Sequence, residues 1–216
     1  MNTWELIQKL LDLQNAYANT RRAIVTGERL KFALEQDDDI DVMDEKIREP
    51  LLEHVGHLPI IATFLYTYIE NKTKVDLGRS LIMLSIHDIG ETVTGDTIAY
   101  KKTSLQSDEE NEITRKLLPP ELVPFYDEFE DFNTFDAKYA KAIDSLAPIL
   151  HEVNNPRLTK ERFEVYGFDA EKVKTKKTVF FQWDGVLKDI FDVCIESLRK
   201  AENNEPTGFT TDIDLP

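Results

Sequence analysis

Apolar side chains recur along this chain at intervals of three and four residues, the spacing that places them on one face of an α-helix. Glycine, which interrupts helices, occupies only 8 of 216 positions. Together the two observations predict an all-α fold. The length suffices for one substantial core. We therefore expect a single helical domain over residues 1–202 and a flexible tail over residues 203–216, where there is little to bury.

Helices are predicted for the segments in which this spacing persists. Asp76 is the expected N-cap of the third helix, and Ser107 or Asp108 that of the fourth. Pro148 is expected to kink or break the sixth helix, and the polar stretch 154–177 is expected to hold short helices. The predicted helices are Trp4–Arg21, Leu51–Asn71, Leu77–Ile89, Glu109–Leu118, Glu121–Glu130, Phe135–Val153 and Phe180–Leu198.

The composition, 41% hydrophobic and 31% charged, is that of a soluble globular protein. No apolar run is long enough to cross a bilayer, and the first residues lack a basic signal-peptide region. We therefore expect a cytoplasmic protein that makes no membrane contact. The single cysteine, Cys194, excludes an internal disulfide framework and a cysteine-based zinc cluster.

The formal net charge is −15, from 41 acidic and 26 basic residues. A protein that binds along a nucleic-acid backbone needs an electropositive surface, so this net charge argues against a protein that binds long nucleic acids. It does not exclude a small phosphorylated substrate. A few local basic groups or a bound cation can neutralise one phosphate inside an acidic protein.

The segment 85–96 concentrates polar chemistry immediately after an apolar helix. It contains His87, Asp88, Glu91 and Asp96. On a helix, residues three and four apart are neighbours on one face, so Asp88 and Glu91, and His87 and Glu91, can share a face. Buried polar groups need partners, and a cation is one such partner. The segment therefore predicts a metal site.

Two further side chains on apolar helices complete a ligand set. His54 lies near the start of the second predicted helix, and Asp144 lies in the middle of the sixth. Two nitrogen and two oxygen ligands suit a divalent ion such as manganese, cobalt, iron, nickel or zinc, and magnesium is kept as an alternative. Taken alone, each of these residues could instead be an ordinary core or surface residue without a metal-binding role. The combination favours the metal site.

The order His54, His87-Asp88, Asp144 resembles the H…HD…D signature of the HD-domain metal-dependent phosphohydrolases, over about half of the chain. The surrounding residues are similar to the branch of YfbR-like 5′-deoxynucleotidases and their HD domain-containing protein 2 relatives. The matching stretches are Glu53-His54, His87-Asp88-Ile89-Gly90-Glu91, Gly95-Asp96, the acidic run 108–112, Leu117-Leu118-Pro119-Pro120-Glu121-Leu122 and residues 136–144.

This resemblance implies an HD-domain helical bundle that removes phosphate from nucleotides, typically deoxyribonucleoside 5′-monophosphates. By position, the metal ligands would be His54, His87, Asp88 and Asp144. Glu91 and Asp96 would be the catalytic carboxylates, although the resemblance does not decide which of them protonates the leaving oxygen. Self-association as a homodimer is also implied.

The chain departs from the branch at three positions that bear on substrate binding. The upstream arginine is followed by an aromatic residue in that branch, whereas Thr20-Arg21-Arg22-Ala23 has no tryptophan. His57 stands where the family often has arginine, and Ser145 where it often has lysine. Phosphate binding is therefore assigned to other basic groups. The expected substrate-binding residues are Arg48, His57, Lys101 and Lys102.

Several alternatives stay open at this point. The substrate could be a nucleoside triphosphate, a cyclic nucleotide or guanosine tetraphosphate. The chain could instead be a di-iron HD-fold oxygenase, which would need more histidines than the four present, or a regulatory protein without turnover. The aromatic residues Trp4, Phe181, Trp183 and Phe191 could serve a dimer interface or the core.

Overall fold

The computed structural model describes residues 2–22, 29, 47–97, 102–154, 156–203, 205–207 and 209. Within these ranges the regular structure is helical, apart from one isolated antiparallel bridge between Arg21 and Pro50. The predicted all-α fold class is confirmed. The α-helices are α1 Thr3–Asn19, α2 Leu51–Tyr66, α3 Leu77–Ile86, α4 Glu91–Thr94, α5 Ser104–Leu117, α6 Val123–Asp131, α7 Phe135–Asn154, α8 Pro156–Tyr166, α9 Ala170–Phe181 and α10 Gly185–Glu202.

Helix α7 is the central element of the bundle, and it contacts α2, α3, α6, α8, α9 and α10. Its buried face carries small side chains, including Ala140 and Ala147, which allow neighbouring helices to approach closely. The helix runs from Phe135 to Asn154, so Pro148 does not break it, and a kink there stays a prediction. Pro148 faces the cavity described below.

Helix α3 begins where the sequence predicts, because the side chain of Asp76 accepts a hydrogen bond from the backbone N–H of Arg79 at 3.1 Å. It ends at Ile86, three residues before the predicted end at Ile89. The chain then turns through residues 87–90 before α4. The predicted continuous helix is therefore wrong after Ile86, and the turn carries two of the expected metal ligands.

Helix α5 begins upstream of its predicted start. The Thr103 hydroxyl accepts a hydrogen bond from the backbone N–H of Gln106 at 3.3 Å, and the Gln106 side chain accepts one from the backbone N–H of Thr103 at 2.9 Å. This reciprocal capping box fixes the helix start at Ser104. Ser107 and Asp108 therefore lie inside the helix and do not cap it.

The last predicted helix, Phe180–Leu198, is divided differently in the structure. Phe180 belongs to the end of α9, and α10 starts at Gly185 because Asp184 caps it by accepting the backbone N–H of Leu187 at 3.3 Å. The same Asp184 carboxylate accepts the backbone N–H of Asn71 at 2.9 Å. The chain has already left α2 at Tyr66, so the predicted helix end at Asn71 is also wrong.

The aromatic residues predicted to serve either the core or a dimer interface differ in their exposure to solvent. Phe181 and Phe191 stack in the core with ring centroids 4.3 Å apart, and Trp183 is partly buried against that core. Trp4 is 82% exposed on α1. Self-association through α1 stays a prediction.

The C-terminal boundary of the domain also stays a prediction. Among the described residues after α10, Thr207 is buried and its hydroxyl donates a hydrogen bond to the carbonyl oxygen of Val153 at 3.2 Å. No helix in the described ranges combines the length and the apolarity needed to span a membrane.

Candidate metal centre

Three mutually packed helices bring the expected ligands together. His54 lies on the buried stripe of α2 formed with Leu51, Leu58 and Ala62, so the helical period itself turns the imidazole toward α3 and α7. His87 and Asp88 occupy the turn after α3, and Asp144 lies in the middle of α7. Residues that are distant in sequence therefore meet at the point where α2, α3 and α7 converge.

The nitrogen and oxygen atoms of this cluster are spaced as ligands of one ion. The Asp144 Oδ1 atom lies 3.3 Å from both His54 Nε2 and His87 Nε2. Asp88 contributes one oxygen to each imidazole, with Oδ1 3.1 Å from His87 Nε2 and Oδ2 3.6 Å from His54 Nε2. Ligand atoms about 2.1 Å from a shared ion lie roughly 3.0–3.5 Å from one another. The distances between the two imidazoles and the two carboxylates, 3.1–3.6 Å, are close to that spacing.

The orientation of the His87 ring is fixed by contacts on the side opposite the metal ligands. Its Nδ1 lies 3.1 Å from the carbonyl oxygen of Leu84, which can only accept, so Nδ1 carries the donated proton. The ring also packs against Phe129, with centroids 5.0 Å apart. When it is neutral, the His87 imidazole is therefore held in the tautomer whose Nε2 lone pair points at the carboxylates, as metal-binding histidines require.

The electrostatics of the cluster also fit a cation. Burial alone would lower the pKa of His87, but the carboxylates of Asp88 and Asp144 outweigh it and raise the pKa from 6.5 to about 10. Burial alone would raise the pKa of Asp144, yet the two imidazoles hold that pKa well below its ordinary value. Asp88 Oδ2 is buried without a hydrogen-bond partner. The donor set of His54, His87, Asp88 and Asp144 therefore suits a divalent ion.

Glu91 stands beside this cluster at the first position of α4 and is buried. Its Oε2 atom has no hydrogen-bond partner. Burial and the nearby carboxylates of Asp88 and Asp96 raise the pKa of Glu91 well above its ordinary value. A carboxyl group of this kind can hold a proton at neutral pH and transfer it within the cavity.

Asp96 is brought back toward the cluster by the turn that ends α4. Gly95 adopts a φ of 75°, a left-handed conformation that favours glycine. Asp96 lines the same cavity as Glu91 and Asp88. The structure thus places both expected catalytic carboxylates at the cluster of metal ligands.

This cavity, which we call the metal cavity, has a volume of about 320 Å³. Its mixed lining is polar around Asp88 and Asp144 and includes an apolar set contributed by α7, α9 and the loop before α9. That apolar set comprises Pro148, Ile149, Phe168, Val173 and Phe180. A ligand with a charged group and an apolar ring matches such a lining.

Arg22 lines the metal cavity and was not identified as a binding residue from the sequence. The bridge between Arg21 and Pro50 holds the segment after α1 against the start of α2. The Arg22 N–H donates to the carbonyl oxygen of Glu49 at 2.8 Å, and its Nη1 lies 3.4 Å from Glu49 Oε2. The basic pair at 21–22 was visible in the sequence, but its pairing with residues near position 50 was not.

Of the predicted substrate-binding residues, only Lys102 is found lining the metal cavity among the described residues. Lys102 lines the metal cavity, where its Nζ pairs with Glu110 Oε2 at 2.6 Å. Arg48 is not among the described residues that line this cavity. Lys101 lies outside the described residues.

His57 lines a second cavity of about 990 Å³ together with His151 and is not among the described residues that line the metal cavity, so its role in substrate binding stays a prediction. The ring centroids of His57 and His151 lie 5.3 Å apart. His151 is likewise separate from the metal ligands, as expected from its position on α7.

Comparison with known proteins agrees with the fold. Residues 38–182 match the sequence profile of the HD domain. No curated protein sequence matches the chain significantly.

Two solved structures share the architecture. A crystal structure described as a predicted metal-dependent phosphohydrolase from Magnetospirillum magnetotacticum has a TM-score of 0.69 and 22% identity, over 91% of this chain and 94% of the other. A conserved hypothetical protein from Pyrococcus furiosus has a TM-score of 0.53 and 18% identity, over 87% of this chain and 98% of the other. At these identities the likeness concerns the fold.

Proposed function

Because the chain belongs to the HD domain family, we propose that it is a metal-dependent phosphohydrolase that removes phosphate from nucleotides, with (deoxy)ribonucleoside 5′-monophosphates as its preferred substrates. One observation carries the proposal. The buried His54, His87 and Asp88 and the partly exposed Asp144 open onto a cavity that also holds a buried carboxyl group, Glu91. A structural metal would not need that additional carboxyl group beside it.

Each group in the proposed site has a defined task. The four ligands would hold one divalent ion, which when bound polarises a phosphoryl oxygen and lowers the pKa of water. Arg22 would bind the phosphate, because its guanidinium group offers several N–H donors to phosphate oxygens. Glu91 would hold and transfer the proton that the reaction exchanges with the attacking water or the leaving 5′-oxygen.

The shape of the cavity supports a nucleotide over a smaller phosphate ester. Phosphate bound near Asp144 would leave its organic group beside the apolar residues Pro148, Phe168 and Phe180. Those side chains suit the flat face of a base. The resemblance to YfbR-like 5′-deoxynucleotidases supports the monophosphate, and the missing tryptophan after Arg22 supports a site that also accepts ribonucleotides.

The oxygenase alternative gains no support from the positions of the histidines. His57 and His151, the two histidines outside the metal cluster, line the second cavity. A second iron next to the first would need imidazole ligands on the metal side of α2 and α7. The proposal therefore keeps a hydrolytic reaction.

The test is phosphate release by metal-stripped protein resupplied with manganese, cobalt, magnesium or zinc. The substrates are ribo- and deoxyribonucleoside mono-, di- and triphosphates, a cyclic nucleotide and guanosine tetraphosphate. We expect release from the monophosphates, and no release by Asp144→Asn, which controls for contaminating phosphatases. Release from triphosphates alone would overturn the monophosphate assignment, and no release under any condition would overturn the hydrolase itself.

A further inference from the structure

Lys177 extends from α9 into the metal cavity, where α9 packs against α7. Its Nζ lies 3.4 Å from the carbonyl oxygen of Ser145, the residue that follows Asp144. This distance is at the long end for a hydrogen bond from an ammonium group. Burial lowers the pKa of Lys177, and the neighbouring Asp144 and Glu152 carboxylates oppose that effect.

Counter-ions distinguish Lys177 from two other lysines that line the cavity, Lys102 and Lys141. Lys102 pairs with Glu110 at 2.6 Å, and Lys141 pairs with Glu130 at 2.6 Å. No described carboxylate oxygen lies within 4.0 Å of Lys177 Nζ. A partly buried cation without a close counter-ion is costly, and a bound anion would offset that cost.

We propose that Lys177 binds a phosphate oxygen of the substrate, next to Asp144, and thereby favours terminal phosphomonoesters over diesters. The inference rests on the proposed function, since it assigns a substrate contact in the same site. A monoester phosphate carries nearly two negative charges at neutral pH, whereas a diester carries one. A divalent ion held by the four ligands would, together with Arg22 and Lys177, offer three positive centres to that dianion.

A tether between α9 and α7 is the structural alternative for Lys177. A tether acts through the carbonyl oxygen of Ser145 and would contribute to the stability of the fold. It would not change the affinity for an anion once the protein is folded. The two roles therefore differ in what is lost when the ammonium group is removed.

The experiment measures binding of inorganic phosphate to manganese-loaded protein by isothermal titration calorimetry, at a temperature where every variant is folded. Lys177→Met should weaken phosphate binding by about 10- to 100-fold, the range of a charge-assisted hydrogen bond. Lys177→Arg should recover most of the affinity. Lys174→Met is the matched control, because Lys174 is on the same helix and does not line the metal cavity.

Metal content and the unfolding temperature are measured for each variant. Unchanged phosphate affinity in Lys177→Met would overturn the assignment while leaving the hydrolase proposal intact. Loss of manganese from Lys177→Met would also overturn it, by showing that Lys177 supports the ligands and not the substrate. Failure of wild-type, manganese-loaded protein to bind phosphate would count against the proposed function and the Lys177 contact together.

Discussion

The Nδ1 atom of His87 lies 3.1 Å from the carbonyl oxygen of Leu84, one turn back in the same helix. Because α3 ends at Ile86, the Leu84 carbonyl oxygen in its last turn has no backbone N–H partner further along the helix and is free to accept from His87. That acceptor fixes the ring, and Nε2 faces Asp144. The end of a helix thus orients a metal ligand without a dedicated side chain.

Asp88 is expected to be essential for metal binding, since its two oxygens lie next to the two imidazoles. Asp88→Ala should reduce bound metal from about one ion per chain to under about one tenth, because three remaining ligands leave the site incomplete. Metal content after gel filtration, measured by plasma mass spectrometry, checks this. Asp131→Asn, at an exposed carboxylate on α6, should keep the wild-type content.

Glu91 is expected to separate catalysis from metal binding. Glu91→Gln should retain the metal and the fold but lower kcat by about 100- to 10,000-fold, the range for losing one proton-transfer group. Glu109→Gln, at an exposed position of α5, is the charge-matched control. Turnover in Glu91→Gln equal to that of the control would remove Glu91 from the mechanism.

Much of the cluster could be predicted because its signals are local. His87 and Asp88 are adjacent in sequence, and His54 and Asp144 are polar residues on apolar helices, where the helical period indicates the buried face. The ends of the helices were less predictable. Asn71, where α2 was predicted to end, is instead held by Asp184, and these residues are far apart in sequence.

Arg22 and Lys177 could not be predicted as cations of the cavity, because contacts between segments distant in sequence position them. Arg22 is positioned by the bridge between Arg21 and Pro50, and Lys177 by the packing of α9 against α7. Both residues belong to polar segments that look like solvated surface in the sequence. Lys102, which was predicted, is in the cavity but already paired with Glu110. Charge alone does not indicate which basic residues lack a counter-ion.

Gly90 is expected to be required for the position of α5 against the metal-binding turn. A Cβ atom at Gly90 would lie 2.3 Å from Thr114 Oγ1 and 2.9 Å from the backbone oxygen of Glu110. Gly90→Ala should therefore lower the free energy of unfolding by about 1–3 kcal/mol. Urea denaturation of the metal-free protein measures the change without a contribution from metal affinity.

Gly56 provides the matched control for that substitution. It lies inside α2, and a Cβ there would have no atom within 4 Å. Gly56→Ala should raise the free energy of unfolding by about 0.5–1 kcal/mol, because alanine is the better helix former. Equal effects of the two substitutions would show that the close approach at Gly90 does not determine the packing of α5.

Metal uptake near pH 7.5 is expected to release about one proton per ion, because a ligand must be deprotonated to bind. In the metal-free protein the pKa of His87 is raised to about 10, chiefly by Asp88 and Asp144 acting against burial, so its imidazole is charged at this pH. Burial lowers the pKa of His54, which is therefore neutral already.

The pH dependence of stability in the metal-free protein follows from the same shift. Because the folded pKa of His87 is above its unfolded value, its contribution to stability is complete below pH 6.5 and is lost as the pH rises toward about 10.

The proton release on metal uptake is measured by calorimetric titration of manganese in two buffers with different ionisation enthalpies. A value near zero at pH 7.5 would mean that His87 is neutral before the metal binds, and that the carboxylates of Asp88 and Asp144 do not hold a proton on it.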